Sequence, residues 1–232
     1  MMGCPQVAGA PITLERVSVQ LDGRSVLHDI SVELTASTIA VIGANGSGKS
    51  TFARLLNGLV TPHSGTVRVH GHDTVQERAA VRRLVGFVFT NPDAQILMPT
   101  PAEDLALSLR GRPKAEVAAR VQETLETNGL GAHAEVPASM LSGGQKQMLA
   151  LASVLIAQPR VIVADEPTTL LDLRNARRIG DLLLAQQAQV VVVTHDLDLA
   201  ARCDAALLFE DGRIAASGEP ARVIDAYRRA CA

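Results

Sequence analysis

The sequence predicts an α/β fold: a parallel sheet covered on both faces by helices, with β-rich segments at its ends and a helical insertion in the middle. Three observations carry this. Short apolar runs at 38–42, 85–89, 161–164 and 190–193 are continuous, as in strands buried on both faces. Helical patterns alternate with those runs. Segments 12–19 and 26–34 instead alternate apolar and polar residues, as half-buried strands do. The size and composition agree with such a core: 232 residues, 47% apolar and 20% charged, which excludes bulk disorder. A net charge of −2 offers no single-sign field, so no nucleic acid partner is expected.

Taken in order, 12–19 is a strand, Leu21-Asp22-Gly23-Arg24 a hairpin turn, and 26–34 the second strand. The strand at 38–42 runs into a glycine-rich stretch, followed by a helix over 51–59. A turn at 61–65 leads to a strand at 66–69. A helix over 76–84 precedes the strand 85–89, which Asn91-Pro92-Asp93 ends. From 101 to 141 the chain reads as helical, with turns at Gly111-Arg112-Pro113 and Asn128-Gly129. Val117, Val121 and Leu125 form one stripe there. A helix over 145–158 stops at Pro159, and the strand 161–164 follows. The remaining elements are a helix at 173–187, a strand at 190–193, short strands at 205–209 and 213–216 around Asp211-Gly212, and a closing helix at 218–229.

No run reaches the roughly 18 apolar residues of a membrane span, and the N-terminus lacks a signal-peptide pattern. A soluble chain is therefore expected. Cys4, Cys203 and Cys231 have no metal-ligand spacing and fit a reducing cytosol. His70 and His72 would share one face of a strand, with His63 nearby. No third ligand is spaced for a metal, so none is assigned there.

Three motifs carry chemistry. Gly43-Ala44-Asn45-Gly46-Ser47-Gly48-Lys49-Ser50-Thr51 matches G-x-x-x-x-G-K-[ST] between a strand and a helix. Its glycines let backbone N–H groups wrap phosphates, and the helix N-terminus favours an anion. Lys49 would reach the β and γ phosphates, and Ser50 would offer its hydroxyl to Mg²⁺. Second, the apolar strand 161–164 ends in Asp165-Glu166. Strand C-terminal ends are where parallel sheets place ligands. Asp165 would hold Mg²⁺ and Glu166 would polarise the attacking water. Third, Leu141-Ser142-Gly143-Gly144-Gln145 opens a helix with small residues, and Ser142 is a fair N-cap.

Together these motifs resemble the ATP-binding-cassette ATPases, whose signature is Leu-Ser-Gly-Gly-Gln. The resemblance covers nearly the whole chain. It implies a P-loop NTPase (RecA-like) core with an antiparallel β subdomain and an inserted helical subdomain carrying the signature. It places the ATP-binding domain at 12–228, with the core at about 38–90 and 150–210 and the helical part at about 91–148. It also implies a dimer, of two like chains or with a related ATPase. Each ATP would lie between 43–51 of one subunit and Ser142, Gly143, Gly144 and Gln145 of the other. Asp172 in Thr168-Thr169-Leu170-Leu171-Asp172 would cross the interface. His195, in Val193-Thr194-His195-Asp196, would face the γ-phosphate. Two positions depart from the family pattern. No aromatic lies near Leu21, so adenine would pack on aliphatic carbon. Thr90 stands where a glutamine is expected, and would contact Mg²⁺ through water.

Phe89-Thr90-Asn91-Pro92-Asp93-Ala94-Gln95-Ile96, followed by Glu103-Asp104-Leu105-Ala106, resembles the energy-coupling-factor ATPases, which drive uptake of vitamins and transition-metal ions. Segment 96–100 and the short C-terminal tail look most like the biotin-transporter members. The resemblance implies an ATPase on the cytoplasmic membrane face, held by a transmembrane coupling subunit beside a substrate-binding membrane subunit, with Gln95 turned toward the membrane partner. Biotin is the expected cargo. Cobalt, nickel or another vitamin, or a soluble role without transport, are the alternatives.

Overall fold

The computed structural model describes residues 11–169 and 171–231; Cys4 and Leu170 lie outside them. β1 (Ile12–Leu21) and β2 (Arg24–Leu34) form an antiparallel hairpin. Asp22 and Gly23 at its tip have φ of 49° and 74°, the left-handed pair that a two-residue turn matched to strand twist requires. β1 also pairs antiparallel with β4 (Ser64–Val69), and β4 with the short β5 (His72–Asp73). His70 is not on a strand face with His72. It sits at φ 50° in the turn between β4 and β5. Among the described residues no group of three or more His, Cys, Asp or Glu side chains is placed to hold a metal.

The second sheet has six strands in the order β10, β9, β3, β8, β7, β6. These are β10 (Arg213–Gly218), β9 (Ala205–Glu210), β3 (Thr38–Gly43), β8 (Gln189–Val193), β7 (Val161–Asp165) and β6 (Val85–Val88). All are parallel except the edge strand β10. The C-terminal strands thus complete the main sheet rather than forming a separate β end: β9 pairs directly with β3.

Continuous apolar strands feed both faces of this sheet. Ile39, Val41, Val161, Val163, Val191 and Val193 face a core shared with the first sheet and α1 (Lys49–Leu56). Ile162, Ala164, Val190 and Val192 face the opposite core. That side is built by α3 (Pro101–Leu107), α4 (Lys114–Thr127), α5 (Gly143–Leu155) and α6 (Leu173–Leu184). Ala40 and Ile42 meet a third cluster with α7 (Leu197–Ala201) and α8 (Pro220–Ala230). Period-two alternation explains the split, since successive side chains leave opposite faces.

α2 (Arg78–Leu84) precedes β6. The segment 101–141 is less helical than expected. Only α3 and α4 are α-helices; single 3-10 turns at Gly131–His133 and Ala138–Met140 fill the rest. Thr100 and Glu103 form a capping box that starts α3. α7 was not visible as a pattern in the sequence. It has five residues, and Asp196 starts it by accepting from Asp198 N and Leu199 N. No helix of the described residues is long and apolar enough to cross a membrane.

Candidate functional site

Strands β3, β7 and β8 are parallel neighbours, so their C-terminal ends meet at one edge. The phosphate loop leaves β3 there. Gly43 has φ 144°, and a Cβ on it would lie 2.2 Å from Phe209 O on β9. Gly48 starts α1 at φ 101°, where a Cβ would meet Leu27 Cδ2 at 2.6 Å. Both positions therefore require glycine. Gly212 N donates to Ser47 O at 3.1 Å, tying the β9–β10 turn to the loop. Phe52 of α1 packs in a tilted arrangement against Phe209 of β9 with ring centroids 5.0 Å apart, which fixes the helix against the sheet. α1 begins at Lys49, two residues earlier than its apolar pattern suggests, because Gly48 supplies the left-handed entry.

Lys49 is 6% exposed. Its Nζ donates to Gly43 O at 2.7 Å and Ala44 O at 2.8 Å. Burial lowers its pKa, while the nearby Glu166 and Asp165 charges act the other way. Ser47 Oγ is buried with no partner among the described residues. A buried hydroxyl in a cradle of N–H groups is what a bound phosphate would satisfy.

Asp165 is 1% exposed at the end of β7. Its Oδ1 accepts from Ser50 Oγ at 2.9 Å, and Arg54 Nη2 lies 3.9 Å from Oδ2. Burial raises the Asp165 pKa; the Ser50 hydrogen bond and the Arg54 charge oppose that rise. The hydroxyl and carboxylate oxygens are hard ligands of the kind Mg²⁺ takes. Thr90 Oγ1 donates to the main-chain Asp165 O at 2.8 Å, so the structure brings Thr90 to this edge with its hydroxyl turned onto the strand end.

Glu166 has φ 53°, a strained left-handed conformation for a residue with a side chain. Its N–H donates to Val193 O at 2.9 Å, which holds the turn. His195 Nδ1 lies 2.7 Å from Glu166 Oε2. Thr169 Oγ1 donates to the same oxygen at 3.2 Å. Thr169 was not singled out in the sequence, because a threonine in a loop carries no spacing signal.

The signature residues form a separate group. Ser142 is the N-cap of α5. Its Oγ accepts from Gln145 N at 3.3 Å, and Gln145 Oε1 accepts from Ser142 N at 2.8 Å. The sequence showed Ser142 as an N-cap; the structure adds the reciprocal bond from Gln145. α5 contacts β6, α3 and α6, and no hydrogen bond of Ser142 or Gln145 reaches the phosphate loop. A Cβ on Gly144 would meet Asn175 Nδ2 at 2.9 Å. Asn175 is in turn held by Asp172, which accepts from its N and its Nδ2, both at 2.8 Å. The Asp172 carboxylate therefore caps α6. The Asn175 main-chain N–H, ahead of other contacts, lowers its pKa.

Gln95 departs from its expected direction. Its Oε1 accepts from Phe89 N at 3.0 Å and its Nε2 donates to Ala150 O at 2.7 Å. The side chain is folded inward, joining the end of β6 to α5. The 3-10 turn Pro92–Ala94 reverses the chain there, so the amide faces the Phe89 N–H. Beside it, Lys146 Nζ meets Asp93 Oδ1 at 2.7 Å. Ile96, Leu97, Met98, Pro99 and Pro137 line an adjoining groove of about 500 Å³.

The ABC transporter family profile matches residues 27–169. The biotin transport ATP-binding protein BioM of Rhizobium etli is 42% identical over 223 residues, 95% of this chain and 99% of that protein. The energy-coupling factor transporter ATP-binding protein EcfA1 of Lactiplantibacillus plantarum is 39% identical over 216 residues, 90% of this chain and 77% of that one. Among solved structures, cbiO1 of Clostridium perfringens, part of the ABC transporter complex cbiONQ, superposes with a TM-score of 0.83 at 29% identity. The match covers 94% of this chain and 91% of that one. The phosphate loop, the carboxylate pair and the matched sequence agree: the chain belongs to the ABC transporter ATP-binding proteins, which bind ATP with Mg²⁺ and hydrolyse it.

Proposed function

We propose that this chain is the ATP-hydrolysing subunit of an energy-coupling-factor importer, and that its cargo is biotin. The observation that carries the catalytic part is the meeting of Ser50, Asp165, Glu166 and His195 at one sheet edge. Backbone N–H groups of 43–51 and Lys49 hold the phosphates. Ser50 and Asp165 hold Mg²⁺, with Thr90 contacting it through water. When bound, Mg²⁺ neutralises phosphate charge. His195 and Thr169 both engage Glu166 Oε2, which leaves Oε1 to take a proton from the attacking water. His195 also faces the γ-phosphate. Ser142, Gly143, Gly144 and Gln145 grip the ATP of a partner ATPase subunit, so each site is shared. The core at about 38–90 and 150–210 and the helical part at about 91–148 are the two parts of the ATP-binding domain.

The importer reading is supported by the run Asn91-Pro92-Asp93-Ala94-Gln95, the groove beside it and the likeness to EcfA1. A transmembrane coupling subunit would seat a segment in that groove, on the cytoplasmic face, next to a substrate-binding membrane subunit. The likeness to BioM favours biotin. Cobalt, nickel or another vitamin are the alternative cargoes. The test is uptake in proteoliposomes holding the ATPase with the membrane proteins that co-purify with it. ATP-dependent uptake of labelled biotin that stops with Glu166→Gln is expected. Uptake of cobalt or nickel but not biotin would replace the cargo. Full ATPase activity with no membrane partner and no uptake would overturn the importer reading.

A further inference from the structure

We propose that His133 is a positioning residue for the signature loop, setting the grip of Ser142 on the ATP of the facing subunit. This rests on the shared-site reading above. The Gln145 amide stands between Ser142 N, 2.8 Å from its Oε1, and His133 Nε2, 3.0 Å from its Nε2. Ser142 N–H is a donor, so the amide oxygen must face it and the amide nitrogen must face the imidazole. His133 Nε2 is therefore the acceptor, and its proton sits on Nδ1. That Nδ1 is buried without a partner among the described residues. The other tautomer would set two N–H groups against each other. The Gln145 contact thus selects the tautomer with its proton on Nδ1, an atom with no protein partner among the described residues.

The main chain of His133 is fixed: in the 3-10 turn Gly131–His133 its N donates to Leu130 O at 2.8 Å. Leu130, directly before that turn, is 1% exposed in the helical core. His133 therefore transmits a fixed position to Gln145. Gln145 N donates to Ser142 Oγ at 3.3 Å. One lone pair of the serine hydroxyl is thereby turned to the helix, and its hydrogen is left to donate outward, toward a phosphate. Without the imidazole acceptor the amide rotates or flips. Ser142 N then loses its acceptor, and residues 141–144 loosen where the facing nucleotide is gripped. The phosphate loop, which shares no hydrogen bond with this relay, is untouched.

The experiment uses Glu166→Gln as parent and follows ATP-Mg²⁺-driven dimerisation by light scattering. Binding of a fluorescent ATP analogue to dilute, monomeric protein is measured separately. His133→Leu keeps bulk and removes the acceptor. His133→Gln restores a carbonyl oxygen near the place of Nε2. His133→Asn is too short to reach. One lost hydrogen bond corresponds to about fivefold per site, and two sites per dimer give about 25-fold weaker dimerisation in the Leu and Asn variants. Analogue binding is expected to stay at the parent value, and the Gln variant is expected to recover most of the loss. Parent-like dimerisation of His133→Leu, or a Gln variant as weak as the Leu and Asn variants, would overturn the assignment of His133 alone. A parent that does not dimerise with ATP would overturn a site shared between two copies of this chain, and this inference with it.

Discussion

Burial holds the Asp165 carboxyl above the ordinary carboxylate range, and the sign of that shift has a consequence. A carboxyl whose folded pKa is raised stabilises the fold fully below its unfolded pKa, about 3.9. That contribution is lost as pH rises through the folded value. At neutral pH the ionised Asp165 therefore costs stability, offset in part by the Ser50 hydroxyl. Asp165→Asn should raise the melting temperature of the ligand-free protein at pH 7, an advantage that shrinks on acidification through the raised folded pKa. It should also lose the added stabilisation that Mg²⁺ gives with ATP. Scanning calorimetry over pH checks both; a lower ligand-free melting temperature at pH 7 would contradict the argument. Lys49 and Glu166 should separate binding from chemistry. Lys49→Ala weakens ATP binding and abolishes turnover. Glu166→Gln keeps ATP bound while hydrolysis falls by roughly 10²–10⁴-fold, the usual worth of a positioned base. Phosphate release and nucleotide binding, measured side by side, decide that assignment. Thr90→Val removes the hydroxyl and should shift the Mg²⁺ dependence of hydrolysis to higher concentration. An unchanged Mg²⁺ titration would make Thr90 a brace on Asp165 O and nothing more.

At the scale of elements, α3 anchors the groove wall through one buried acid. Asp104 is 4% exposed. Its Oδ1 accepts from Leu97 N at 2.8 Å and Met98 N at 3.1 Å, and its Oδ2 from Ser153 Oγ of α5 at 2.8 Å. Asp104→Ala leaves three donors without their acceptor and should cost about 2–4 kcal/mol in urea unfolding, since each unpaired buried group costs about 1–3 kcal/mol. Asp104→Asn keeps one oxygen acceptor and should cost less. Sequence pattern revealed Glu103-Asp104 but not this use of it, because the partners are loop N–H groups and a serine 49 residues away. The same limit applies elsewhere. The four apolar runs and the phosphate loop were legible, since periodicity and glycine placement are local. α7 was not, because five residues carry too little periodicity and one side chain, Asp196, starts it. The inward turn of Gln95 depends on Phe89 N and Ala150 O, and the place of β9 beside β3 is a pairing across most of the chain. Neither leaves a trace in local spacing.

At the scale of the whole molecule, the candidate site is divided. The phosphate loop, Asp165, Glu166 and His195 stand at the edge of the main sheet. The signature residues stand on the helical side, joined to α6 through Gly144, Asn175 and Asp172. Among the described residues the phosphate loop and the signature residues share no hydrogen bond, and in the proposed shared site a second chain brings a signature loop to each phosphate loop. The most direct test is the mass of the Glu166→Gln protein in solution with and without ATP-Mg²⁺. A particle twice the 24.5 kDa chain mass is expected only with ATP. Adding Ser142→Arg should return it to the single-chain mass while a fluorescent ATP analogue still binds. A protein that holds ATP as a single chain, or a dimer indifferent to both ATP and Ser142→Arg, would contradict a site shared between two copies of this chain.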